Sequence, residues 1–173
     1  MRSNIAPGGA LPDYELPDHT QTFRKLSELQ GDDPLILTLA RGHYWPKDHQ
    51  QHLQLPAFYP QIAVAYTQIA TISTDDHHTS QEFRASVGAA WPFLSDPGRT
   101  VQQDLYIQEY TDLEHDPMIR HTLVLKPDSS SRASTTATGS GAVRPSMTFA
   151  GDLCEVTREI RSDWDLSAPG PFG

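Results

Sequence analysis

Cysteine is nearly absent from this chain, which carries a single thiol, Cys154, among its 173 residues. One cysteine excludes an intramolecular disulfide and any cysteine-based zinc site. Basic residues are also scarce, because 13 lysines and arginines face 22 aspartates and glutamates, for a formal net charge of -9. A nucleic-acid or anionic-membrane surface needs a concentrated basic face, so we expect neither kind of partner.

Long apolar runs are missing as well. The longest ones, such as residues 35–40, are far shorter than the roughly 20 residues that cross a bilayer. No charged-then-apolar leader opens the sequence, and we therefore expect a cytoplasmic protein. The length suits one domain over residues 1–173, which can bury a core without a disulfide or a structural metal.

Predicted strands alternate with predicted helices along the chain. Residues 35–40 are apolar on both faces, as in a central parallel strand, and residues 66–74 and 122–125 predict two further strands. Thr79 or Ser80 is expected to cap the helix that follows the second of these. Residues 95–98 are expected to turn and then cap a further helix over residues 99–105. A final helix over residues 146–160 would place Phe149, Leu153, Val156 and Ile160 on one stripe. This order predicts an α/β layered fold.

One segment departs from that pattern. Between residues 129 and 142 every residue except Arg132 is Ser, Thr, Ala or Gly, so little apolar surface is available to offset the entropy of ordering the segment. We predict an irregular insert there. A local reading-frame shift in a GC-rich gene would produce such a composition, and the nucleotide sequence read one base out of phase tests this hypothesis.

Three motifs carry a resemblance to a known family. They are the strand, turn and helix start over residues 35–48, the strand end Ile-Ser-Thr-Asp at 72–75, and Phe-Leu-Ser-Asp-Pro-Gly-Arg-Thr-Val at 93–101. With them the chain resembles the redoxin domain of the alkyl hydroperoxide reductase and thiol-specific antioxidant family, which is peroxiredoxin-like.

The resemblance implies a thioredoxin-like α/β fold with a central, mostly parallel sheet flanked by helices. It also implies thiol-dependent reduction of a small hydroperoxide, a thiol reductant as partner, and no cofactor. In the family the arginine of the third motif, here Arg99, helps to position the peroxide and favours the thiolate.

The chain departs from the family at the positions of its catalytic residues. Trp45 stands at the position of the peroxidatic cysteine, and an indole offers no ionisable nucleophile. Gly42 replaces the usual Thr or Ser, and Thr38 replaces the usual Pro. Asp48 stands where a second cysteine of a C-X-X-C pair would be, and Arg120 stands where thioredoxin-like folds usually carry a cis-proline. We therefore expect peroxidase activity to be impaired or lost.

The predicted site consists of Trp45 and Arg99 at the catalytic positions, with a pocket formed by Gly42, His43, Asp48 and Arg120. Trp45 is interpreted chiefly as a bulky residue packed over a helix start. A non-enzymatic module that binds a ligand or a partner around Trp45 is the alternative function.

Two alternatives concern other side chains. His49 and His52 lie three residues apart, near Asp48, at a spacing that a metal site could use. We nevertheless predict no metal site, because such spacing is common on polar helix faces. Cys154 is a conceivable displaced nucleophile, but it has no resolving partner.

Overall fold

A computed structural model describes residues 10–46, 48–50, 52–53, 55–56, 66–112 and 114–127 of the chain. The predicted insert at 129–142, the predicted final helix at 146–160 and Cys154 lie outside these residues. In the described part, none of the helices is both long enough and apolar enough to cross a membrane.

The main sheet has four strands: β3 (Leu35–Ala40), β4 (Gln68–Ser73), β5 (Phe93–Ser95) and β6 (His121–Leu125), in the order β5-β4-β3-β6. Strand β4 runs parallel to both β3 and β5, whereas β6 runs antiparallel to β3. The predicted strand at 35–40 is therefore the central one. All six of its residues are buried, as its unbroken apolar run requires.

A small hairpin precedes this sheet. Strands β1 (Glu15–Pro17) and β2 (Phe23–Lys25) pair antiparallel, and the short helix α1 (Leu26–Gln30) follows directly. Asp18 forms an antiparallel bridge with Leu94 of β5, so the hairpin covers that edge of the main sheet.

Helices pack on both faces of the sheet. On one face, Leu35, Leu37 and Leu39 of β3 contact the core that includes Val101 of α3 (Thr100–Asp104). On the other face, Ile36 and Ala40 join the cluster that includes Phe83 of α2 (His77–Ser86). Layers of helix, sheet and helix confirm the predicted thioredoxin-like α/β architecture.

The start of α2 differs from the prediction. The cap is Asp76, whose carboxylate accepts a hydrogen bond of 2.8 Å from the Thr79 amide, and the helix begins at His77. Thr79 and Ser80 therefore lie inside the helix rather than at its cap. An aspartate cap satisfies an open amide as well as a hydroxyl does, so the helix can begin three residues earlier.

The predicted cap of α3 is confirmed. Both oxygens of the Asp96 carboxylate accept hydrogen bonds of 2.8 Å, from the amides of Thr100 and Val101.

Candidate functional site

The turn that carries Trp45 lies directly after the central strand β3. The Trp45 amide donates to the Gly42 carbonyl at 3.4 Å, and the Trp45 carbonyl accepts from the amides of Asp48 (3.0 Å) and His49 (3.1 Å). These bonds begin a helix whose described residues are 46, 48–50, 52–53 and 55–56, which we call the Pro46 helix. Trp45 therefore occupies the amino-terminal end of a helix at the carboxyl edge of a parallel sheet, where ligand sites in α/β folds concentrate.

Arg41 covers the Trp45 side chain. Its guanidinium carbon lies 4.9 Å from the centroid of the indole ring, within the range of a cation–π contact. Nη1 of Arg41 forms an ion pair of 3.1 Å with Oε2 of Glu109, and the two side chains are only 20% and 23% exposed. Nε of Arg41 is buried and has no hydrogen-bond partner among the described residues. Neither Arg41 nor Glu109 belongs to the site predicted from the sequence.

Asp48 joins the turn to the start of β6. Its carboxylate is buried and accepts the Arg41 amide at 2.6 Å and Nη1 of Arg120 at 3.4 Å. Burial raises the pKa of Asp48, while the Arg41 amide and the Arg120 charge oppose that shift. Two predicted pocket residues, Asp48 and Arg120, are thus in direct contact.

Gly42 and His43 are held by Asp75, which follows β4. Gly42 has a φ of 128°, and a β-carbon added there would lie 2.5 Å from Oδ1 of Asp75. Oδ2 of Asp75 accepts the His43 amide at 2.9 Å and the Ser73 hydroxyl at 3.2 Å. Burial is the main cause of the raised pKa of Asp75. The close approach explains why glycine occupies position 42.

His52 belongs to a buried chain of hydrogen bonds. Its Nδ1 donates to the Asp48 carbonyl at 2.8 Å, since a carbonyl can only accept, and its Nε2 then accepts from the Thr71 hydroxyl at 3.3 Å. The Trp91 indole donates to the same Thr71 oxygen at 3.1 Å. Both ring nitrogens of His52 are therefore engaged within the protein, which leaves neither for a metal ion.

The other histidine of the considered metal site, His49, is half-buried and stacks on Phe83. Nε2 of His49 lies 3.2 Å from the hydroxyl of Ser86 in α2. Across the residues that the structure describes, no three histidine, cysteine or acidic side chains converge as a metal site would require.

The contacts of Arg99 lie away from the Trp45 turn, although the predicted site placed the two residues together. The Arg99 backbone is left-handed, with φ 57°, and its side chain binds a segment that we call the 107–119 arm. Nε contacts the Asp116 carbonyl (3.0 Å) and the Asp116 carboxylate (2.9 Å), Nη2 donates to the His115 carbonyl (3.0 Å), and Nη1 donates to the Pro97 carbonyl (3.2 Å). In the described part of the chain, none of its hydrogen bonds reaches the Trp45 turn. A direct role for Arg99 stays a prediction.

The 107–119 arm nevertheless borders the site. The amide of Glu109 donates to the Pro117 carbonyl at 3.0 Å, and Gln108 and Met118 form an antiparallel bridge. The arm supplies Glu109 to Arg41, and its His115 ring lies 6.2 Å from the ring of Tyr44. Arg99 is thus linked to the Trp45 turn through the arm.

Residues 7–132 match the AhpC/TSA family. A Mycobacterium tuberculosis protein, provisionally named a peroxiredoxin, is 27% identical over 121 residues, which cover 70% of this chain and 79% of the relative.

Solved structures agree in fold. Peroxidoxin BcpB from Mycobacterium tuberculosis has a TM-score of 0.68 at 22% identity, covering 93% of this chain and 99% of its own. AhpC from Enterococcus faecalis has a TM-score of 0.71 at 14% identity, covering 94% and 98%. A cysteine-to-serine mutant of PrxQ from Xylella fastidiosa has a TM-score of 0.68 at 16% identity, covering 92% and 97%.

Proposed function

Because the chain belongs to the AhpC/TSA family, we propose that it is a peroxiredoxin-like redoxin-domain protein whose peroxidase chemistry is impaired by Trp45. Family and fold support a thiol-peroxidase type of activity, with a small hydroperoxide and a thiol reductant as partners. The observation that carries the proposal is the placement of Trp45. It begins the helix after β3, where the family resemblance expects the reactive cysteine.

The chemistry that this position would host requires a sulfur atom. A thiolate attacks one peroxide oxygen, the O–O bond breaks, and the sulfur becomes a sulfenic acid while the other oxygen leaves as an alcohol after taking up a proton. A thiol reductant then returns the two electrons and releases water. The indole of Trp45 has no lone pair that can take part in this attack, so the step cannot begin at position 45.

Peroxide consumption with a dithiol donor tests the proposal directly. The unchanged protein should consume hydrogen peroxide no faster than a protein-free control. Turnover above that control, abolished by Cys154→Ala, would move catalysis to Cys154 and overturn the proposal.

A gain-of-function variant gives the complementary test. In a Cys154→Ala background, Trp45→Cys should react with peroxide faster than free cysteine does, because a helix start beside a cation favours the thiolate. Trp45→Ser is the matched control, since it removes the indole without supplying a thiol. Equal rates for the Cys and Ser variants would contradict the assignment of position 45.

Non-covalent binding around Trp45 is the second candidate function. Tyr44 is 73% exposed beside the partly buried Trp45, so an aromatic ligand or peptide side chain has a surface to contact. A small molecule that quenches tryptophan fluorescence in the unchanged protein, but not in Trp45→Phe, would support this function.

A further inference from the structure

We propose that Arg41 is the cation that faces the reactive position of this site, and that Glu109 holds it there. The inference deepens the function proposed above and rests on position 45 being that reactive position. It assigns to Arg41, which lies within the first family motif at residues 35–48, the role that the family resemblance expects of Arg99.

Three contacts fix Arg41 in place. Its amide donates to the buried Asp48 carboxylate at 2.6 Å, which anchors the backbone directly after β3. Its guanidinium carbon lies 4.9 Å from the Trp45 ring, and its Nη1 lies 3.1 Å from Glu109 on the 107–119 arm. The guanidinium is thus restrained between the residue at position 45 and the arm.

The other basic side chains that the structure describes around the turn have partners elsewhere. The guanidinium of Arg120 contacts the Asp48 carboxylate. Arg99 is occupied by carbonyls and by the carboxylate of Asp116 on the arm. The histidines beside the turn, His43 and His49, are directed at Phe83 and at Ser86 of α2. Among the residues that the structure describes, Arg41 is therefore the cation that lies over the indole.

Burial strengthens the influence of Arg41. Because four-fifths of its side chain is removed from solvent, its charge is less screened than that of a surface arginine. In the protein as it is, that charge lies over the indole face, which attracts cations. With a sulfur at position 45, the same charge would favour the thiolate over the thiol. Glu109 neutralises part of the effect while holding the guanidinium in position.

The test uses Trp45→Cys with Cys154→Ala, a protein with one thiol, and measures its alkylation by iodoacetamide against pH. The thiol pKa obtained in this way does not depend on peroxide chemistry. Adding Arg41→Gln should raise that pKa by about one unit, and so lower the rate at neutral pH several-fold. Arg24→Gln is the matched control, because Arg24 pairs with Asp18 beside the β1–β2 hairpin. It should leave the thiol pKa unchanged.

Two further variants separate the effect of the Arg41 charge on the thiol pKa from the effect of Arg41 packing and from any effect of Arg99. Arg41→Lys keeps the charge and should keep most of the lowered pKa; if it behaves like Arg41→Gln, the effect is packing and the proposal is wrong. A rise in thiol pKa with Arg99→Gln but not with Arg41→Gln would also overturn it. If Trp45→Cys shows Arg41-dependent alkylation but no reaction with peroxide, the proposed function fails while this inference stands.

Acrylamide quenching in the protein that retains Trp45 gives a second readout without an engineered thiol. Arg41→Gln should expose the indole and increase the quenching of Trp45, with Trp45→Phe supplying the signal of the other tryptophans. Unchanged quenching would mean that Arg41 does not cover the indole in solution and would overturn the proposal.

Discussion

A β-carbon on Gly42 would lie 2.5 Å from Oδ1 of Asp75, closer than such contacts occur in folded proteins. The family resemblance expects Thr or Ser at this position. In this chain both the hydroxyl and the space for a side chain are missing at position 42. With Asp75 in its place, the backbone does not admit a side chain at position 42. Restoring Thr at that position should therefore disrupt the turn rather than repair the pocket.

Gly42→Ala should destabilise the protein by about 2–4 kcal/mol, because it combines a φ of 128° with a clash against Asp75. Gly88→Ala is the control: its φ is 65°, but nothing lies within 4 Å of an added β-carbon, so only about 1 kcal/mol should be lost. Urea unfolding of both variants measures the difference. Equal losses would show that Asp75 moves aside at little cost.

Thr38 and Thr71 are neighbours across β3 and β4 and should respond in opposite ways to loss of the hydroxyl. Thr71→Val removes the oxygen that accepts from Trp91 and donates to His52, and losing these two buried hydrogen bonds should cost about 2–3 kcal/mol. The Thr38 hydroxyl is buried without a partner in the described part of the chain, so Thr38→Val should be neutral or stabilising. Chemical denaturation of the two variants compares them; a larger loss for Thr38→Val would contradict this hydrogen-bond pattern.

Protonation of His52 should weaken the fold below neutral pH. Burial lowers the pKa of His52 in the folded protein to about 4, whereas the pKa in the unfolded chain stays near 6.5. As the pH falls, His52 is therefore protonated in the unfolded chain before it is protonated in the folded protein. The stability contribution is complete above about pH 6.5 and is lost as the pH falls towards 4, by on the order of 3 kcal/mol.

The raised pKa values of Asp48 and Asp75 act in the opposite direction, so the contribution of His52 must be isolated with a variant. His52→Gln should show a smaller decrease in unfolding free energy between pH 6.5 and 4 than the unchanged protein does. Parallel pH profiles would show that His52 is not buried in its neutral form.

Arg99→Gln should loosen the 107–119 arm without unfolding the protein. Arg99 and Asp116 both have left-handed backbone conformations, at φ 57° and 43°, and their side chains are paired. Because the pair is about one-third exposed, the global loss should be about 1 kcal/mol or less. Hydrogen exchange at the Glu109 amide should accelerate several-fold, while that of Leu37 in β3 stays unchanged.

The same exchange measurement on Arg24→Gln supplies the control, since that variant removes an arginine that pairs with the hairpin and not with the arm. Acceleration at Glu109 in both variants would mean that the effect reflects general destabilisation and not the contact between Arg99 and the arm.

The central strand was predictable because its signal is local. A run of six apolar residues at 35–40 indicates burial on both faces, and β3 has the predicted bounds. The cap of α3 was equally readable, since Asp96 and the amides that it binds lie within five residues of each other. The start of α2 was misplaced because the neighbouring Asp76 and Thr79 are both good caps.

The site was only partly predictable, since its contacts join distant parts of the chain. The turn and Trp45 follow from the strand that precedes them. The ion pair of Arg41 with Glu109 leaves no periodicity or spacing in the sequence, because the fold alone brings the arm beside the turn. The contact between Asp48 and Arg120 arises in the same way, from the pairing of β3 with β6.

That pairing also has a kinetic consequence. Leu35 is paired with Leu125, so this part of the sheet joins residues that lie far apart in the sequence and closes a long loop. Such non-local contacts make folding slow, because the entropy of loop closure is lost before the contacts form. Arg120 reaches Asp48 only when β6 has docked, so the turn around Trp45 should acquire its final geometry among the last events of folding.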